Sequence, residues 1–245
     1  MRALAVSTWI EVKLFLREPL TVVFTLALPL LFLFVLGGIF GNTPDPAVFR
    51  GAGPLDFYVP GYLALVWAAV GLLAFPVQIA RYREDGVLRR FRASGAPMRT
   101  VFGSQIAVAF LVSAVGAVLV IGSAAVVYHI EFPSFVGGVL VAWFACGILF
   151  SAVGLLLSCI PSSRGALGAG LGLFFVMMLL SGVGPPPEVL TGPMRAVSDI
   201  LPLTYMVRLL QDPWLGLALS WADVAVVLGF TAAALTAWRL LVRWE

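Results

Sequence analysis

Six apolar stretches of eighteen residues or more dominate this chain, and they decide the solvent in which it can fold. They run from Leu20 to Phe40, Pro60 to Ala80, Val101 to Val127, Phe135 to Ile160, Gly165 to Val183 and Val224 to Leu241. No Asp, Glu, Lys or Arg interrupts their interiors, Arg239 standing two residues from the end of the last. An apolar helix of about twenty residues crosses the roughly 30 Å hydrocarbon core of a bilayer. Inside that core each backbone polar group must find its partner within the segment, which makes every such stretch a helix. The expectation is therefore an all-α membrane protein with six transmembrane helices. The rest of the composition agrees. Mean hydropathy is +1.05 and 11% of residues are charged, against about a quarter in soluble domains. No cleavable leader is expected ahead of the first stretch.

The basic residues set an orientation. With the N-terminus in the cytoplasm, Arg2, Lys13, Arg17, six arginines between 81 and 99, Arg164, Arg239 and Arg243 lie inside, and only Arg50, Arg195 and Arg208 lie outside. Cytoplasmic loops are enriched in Lys and Arg, so the chain reads as N-in and C-in. The same placement explains the pI near 9.2 without nucleic acid.

Other segments carry their own expectations within one domain spanning 1–245. Residues 1–18 place Ser7, Glu11 and Glu18 on one stripe and Arg2, Lys13 and Arg17 on another, with Trp9, Val12 and Leu16 between. That suits a helix lying in the membrane interface with Trp9 as anchor and Lys13 and Arg17 snorkelling; a plain lead-in to the first span is the alternative. Pro29 should kink the first span. Gly165, Gly168, Ala169 and Gly172 leave a flat stripe for close helix approach on the fifth, and Gly147, Ser151 and Gly154 do so on the fourth, there for packing within the subunit. Residues 185–212 are too broken by proline to span yet too apolar for a free loop. Short helices dipping into the outer leaflet fit them, with an ordinary outer loop as the alternative.

Several chemistries are excluded by residues the chain lacks. Lys13 is the only lysine and has no glycine-rich loop beside it, so there is no phosphate-binding loop for ATP. His129 is the only histidine, which rules out a paired-histidine zinc site. Cys146 and Cys159 lie thirteen residues apart on one helix, about 20 Å, beyond disulfide reach. No ionisable residue sits mid-membrane, as an ion-coupled transporter would require. Such a bundle is either passive, a channel or structural scaffold, or is driven from elsewhere. The expectation is a non-catalytic chain that binds no metal and no cofactor.

The place to drive it is 83–93, a short helix on the cytoplasmic surface between spans two and three. Glu84 and Asp85 come first and Arg89, Arg90 and Arg92 last, complementing a helix dipole, before Gly95 and Pro97 stop it. Val87, Leu88 and Phe91 form an apolar patch. Topology alone would explain some of the arginines; the ordered charges with an apolar knob suit docking into a partner's groove.

Four stretches in order resemble one family over nearly the whole chain. "FLREPLTVVFTLALPLLFLFVLGGIFG" (15–41) looks like its approach to helix one and "LDFYVPGYLAL" (55–65) like its Pro-Gly start of helix two. "REDGVLRRFRASGAP" (83–97) is similar to its coupling helix, and "LPLTYMVRLLQ" (201–211) to its last outer segment. The family is the ABC-2 type permeases of ATP-binding cassette transporters, within it the daunorubicin-resistance-like bacterial exporters. The resemblance implies a permease in the bacterial cytoplasmic membrane, paired with a second copy or a sister permease. Two separate ATPase subunits would carry the ATP and Mg. Glu84, Asp85, Gly86, Val87, Leu88, Arg89, Arg90 and Phe91 would engage them, with the N-terminal helix alongside. It also sets helices one, two and five near the dimer axis, where Phe24, Phe32, Trp67, Phe75, Phe174, Phe175, Met177 and Met178 would favour a hydrophobic or amphiphilic cargo, drug- or lipid-like. Residue by residue, core or lipid-facing packing explains the same side chains.

Overall fold

The computed structural model describes residues 2–44, 49–93, 98–185 and 190–242, without the side chains of 2–7, 91–92 and 98–100. Gly95, Pro97, Pro186, Pro187 and Arg243 lie outside the described residues, as do the side chains of Arg2, Ser7, Phe91, Arg92 and Arg99. Every regular element among the described residues is helical. Six are long and apolar enough to cross a membrane: α2 (Pro19–Phe40), α3 (Pro54–Glu84), α5 (whose apolar part is Val101–Tyr128), α6 (Val136–Leu157), α7 (Ser163–Leu180) and α10 (Trp221–Leu241). The other four are α1 (Arg2–Leu16), α4 (Val87–Ala93), α8 (Gly192–Ser198) and α9 (Pro202–Trp214). Large apolar side chains project outward from the spans, among them Val118, Val126, Val141, Leu228 and Leu240, a surface suited to hydrocarbon rather than water.

The α3 helix is the axis of the bundle. Every residue from Pro54 to Val70 is buried, and Phe57, Tyr62 and Trp67 are among the largest fully buried side chains. α2, α5, α6, α7 and α9 all pack on it. It begins six residues before the expected Pro60. Pro54 opens the first turn and Gly53 offers no capping side chain, so Asn42 supplies the cap: its Oδ1 accepts from Leu55 N at 3.1 Å. Pro60 then forfeits only one hydrogen bond inside an established helix. Asp56 completes that end, accepting from Asn42 Nδ2 at 3.1 Å and from Glu131 N at 2.8 Å.

Two spans contain a widened turn, each ahead of a proline. Leu28 N donates five residues back to Val23 O, before Pro29, and Phe75 N to Val70 O, before Pro76. Proline has no N–H and its ring crowds the carbonyl four residues earlier; one π turn absorbs both. In α3 this frees Gly71 O and Leu72 O from their usual partners. Both press against glycines of neighbouring spans: a Cβ on Gly154 would lie 2.6 Å from Gly71 O, and one on Gly170 2.1 Å from Leu72 O. Only hydrogen at those two positions lets α6 and α7 approach, with Cα–H groups facing the freed carbonyls. Gly147 likewise seats the Trp67 and Phe110 rings, so the small residues of α6 do serve packing within the chain. Gly168 and Gly172 of α7 have nothing within 4 Å.

Between α7 and α10, α9 is driven into the bundle, with Leu203, Met206, Leu210 and Trp214 almost wholly buried. Gln211 Nε2 donates to Phe57 O at 2.9 Å. Ser134 N and Phe135 N donate to Trp214 O and Pro213 O at 3.1 and 3.0 Å. These bonds hold it at the Asp56 end.

Candidate functional site

The charged stretch around 81–93 sits at the opposite end, and its residues point in three directions. At the foot of α3, Arg81 pairs with Glu18, which lies in the turn between α1 and α2. Arg83 donates to Ser158 O at 2.9 Å and Ile160 O at 3.2 Å, capping the final carbonyls of α6 and its exit loop. Glu84 accepts from Ser163 N at 2.9 Å and Ser163 Oγ at 2.6 Å, at the first turn of α7, where free N–H groups and the helix dipole favour a carboxylate. One turn of α3 thus ties together the ends of α2, α6 and α7. Periodicity alone does not reveal this, because the partners are 63 to 79 residues away in sequence.

The expected 83–93 helix is corrected in its first half. Arg83 and Glu84 belong to α3, and Asp85 caps it, with its N–H donating to Arg81 O. Gly86 takes φ +68, a left-handed conformation that suits glycine and breaks the helix there. The short helix α4 then starts at Val87 with no acid in its first turn; the acid-to-base layout straddles two helices. Leu88 is half-buried against Phe75, Ile79, Val101 and Leu155, so part of the expected docking knob seats α4 on its own bundle. Arg89 and Arg90 are exposed on the other side.

Beside this foot lies α1, packed along α5. Trp9 is 61% exposed, with the Lys13 ammonium 5.2 Å from its ring centroid, and Lys13 and Arg17 are exposed as well. Glu11 is not: it is 7% exposed and accepts a hydrogen bond from Tyr82 Oη of α3. Burial pushes its carboxyl above the usual carboxylate range, with the Tyr82 hydroxyl and Gln105 pulling the other way. The acidic stripe therefore faces the bundle. Glu11, Glu18, Gln78, Gln105 and Phe75 line a cleft of about 30 Å³ there, room for little more than water.

The aromatic and methionine positions divide. Trp67 lies among Phe110 and Trp143, with ring centroids at 4.7 and 5.1 Å. Trp67, Phe75, Phe174, Met177 and Met178 are buried within the chain. Phe24 of α2 meets Phe174 and Phe175 of α7 edge-on at 5.8 and 5.7 Å. Phe24 and Phe32 are half-buried and Phe175 is 40% exposed, so of the eight these three alone reach the surface, with Phe175 three residues from Gly172 on α7.

The model of one known family, the ABC-2 type transporters, matches residues 2–213, from the first turn of α1 to within one residue of the end of α9. None of the curated proteins compared matches the chain. Six apolar helices with no strand among the described residues, and a family match over most of the length, lead to one assignment: this chain belongs to the ABC-2 type transporter family and is a multi-pass membrane permease.

Proposed function

We propose that this permease is the transmembrane subunit of an ATP-driven exporter in a bacterial cytoplasmic membrane, lying N-in and C-in and powered by two separate cassette ATPase subunits. The observation that carries the reading is the strut at the foot of α3. A push on α4 would pass through the Gly86 turn to Arg81, Arg83 and Glu84, and from them to the ends of α2, α6 and α7 together. Asp85, Arg89 and Arg90 face away from the bundle, where an ATPase cleft would meet them, with the exposed Trp9 side of α1 alongside. ATP and Mg would sit on the ATPases, not on this chain. A second permease, identical or a sister chain, would cover the Gly168, Ala169 and Gly172 stripe. Phe24, Phe32 and Phe175 would then line the shared axis and favour a hydrophobic or amphiphilic cargo, as in daunorubicin-resistance-like exporters.

The test is co-expression with a cassette ATPase from the same source. The isolated permease should turn over no ATP, the ATPase should co-purify with it, and the Arg89→Glu, Arg90→Glu double variant should release the ATPase without lowering the permease's melting temperature. Nucleotide hydrolysis by the isolated chain, or full ATPase retention by the double variant, would refute the reading.

A further inference from the structure

At the Asp56 end of the bundle three arginines from three different segments converge. Arg50 comes from the loop before α3, Arg195 from α8 and Arg208 from α9, and all three line one cavity of about 360 Å³, within the range of small-molecule sites, roughly 300–1,000 Å³. Two have ionic partners: Arg50 Nη1 lies 3.4 Å from Asp212 Oδ1, and Arg208 Nη2 lies 3.5 Å from Asp199 Oδ1. Asp212 and Asp223 also line the cavity, which leaves Arg195 as its arginine without an ion pair among the described residues.

A second observation points to a ligand. Ser181, the residue that ends α7, lines the same cavity and is 1% exposed, and its Oγ has no hydrogen-bond partner among the described residues. Buried hydroxyls are as a rule paired. A buried, unpaired hydroxyl in the wall of a cavity lined by three guanidinium groups supplies what an oxyanion uses: a neutral donor beside planar, charged ones. Apolar side chains are exposed close to Arg195 in the chain. Met194, Val197 and Ile200, around Arg195, are 52%, 42% and 69% exposed.

We propose that this cavity binds a phosphate-type oxyanion through Arg195, Arg208 and Ser181. The same chemistry comes from a lipid headgroup or from a soluble phosphate ester, and the exposed apolar side chains next to Arg195 in sequence favour the lipid. The site requires no ATPase, so its failure would leave the coupling reading untouched, and the reverse.

The full chain, purified in a non-ionic maltoside, is titrated with dioctanoyl-phosphatidylglycerol, glycerol 3-phosphate, inorganic phosphate and phosphate-free dioctanoylglycerol, with melting temperature as the readout. The lipid should raise it saturably. Arg195→Gln should weaken the apparent affinity about tenfold, the loss of one hydrogen bond between charged groups. Ser181→Ala should weaken it several-fold, while Arg239→Gln, which removes the same charge at the other end of the bundle, should change nothing. Equal action by glycerol 3-phosphate or phosphate alone supports the oxyanion site and assigns it a soluble ligand. Equal action by dioctanoylglycerol, or an unchanged response in both Arg195→Gln and Ser181→Ala, overturns it.

Discussion

Glu11 carries charge into a place that disfavours it. Its folded carboxyl titrates above the unfolded value of 4.5 because burial outweighs the help from Tyr82 and Gln105. The folded state therefore holds a proton that the unfolded chain has released, so stability is full below pH 4.5 and is lost as pH rises through the folded value. Glu11→Gln keeps an acceptor for Tyr82 and removes the charge. It should raise the melting temperature at pH 8 and flatten the decline between pH 5 and 8; parallel curves for the two proteins would count against the burial argument. Arg83 works differently, by filling carbonyls that α6 leaves open at its end. Arg83→Ala should cost about 1–2 kcal/mol in chemical denaturation, the range for hydrogen bonds from a charged donor that is part-exposed. Arg83→Lys, with a single point of donation, should recover only part of it.

At the scale of elements, proline and glycine act as a set. Pro76 frees the Leu72 carbonyl, and Gly170 of α7 leaves room for it; a methyl at 170 would lie 2.1 Å from that oxygen, and backbone on both sides cannot yield. Gly170→Ala should therefore destabilise by about 3 kcal/mol. Gly168→Ala, two residues away on the open face with nothing within 4 Å, should leave the monomer's melting temperature unchanged. If both variants melt alike, the clasp around Val70–Ala74 is not what holds α7 against α3. The same set marks where α3 can bend. The π turn lies above a foot tied by Arg81, Arg83 and Glu84, and it is the place in the central helix where a kink has a structural cause.

For the whole molecule, the alternation of six spans collects Arg17, Arg81, Arg83, Arg89, Arg90, Arg164 and Arg239 at one end and Arg50, Arg195 and Arg208 at the other. On the orientation proposed above, the positive bias puts the first end in the cytoplasm. In a Cys159→Ser background, with Cys146 fully buried, Asp85→Cys in intact cells should resist a membrane-impermeant maleimide, and Arg195→Cys should react. The opposite pattern would invert the protein and remove α4 from any cytoplasmic partner.

The sequence by itself determined the solvent, the number of spans and the two charged ends, because each depends on composition along a single segment. It located five of the six span starts closely and missed Pro54, whose cap, Asn42, comes from the preceding loop. It marked 83–93 as important, yet it could not show that Glu84 reaches Ser163, that Glu11 turns inward to Tyr82, or that Arg50, Arg195 and Arg208 share one cavity. Those are meetings of side chains from distant segments, and they exist only once helices have chosen their neighbours. That choice rested on close approach: the freed carbonyls of α3 could be covered only where α6 and α7 present a bare glycine, a pairing that no single helix encodes.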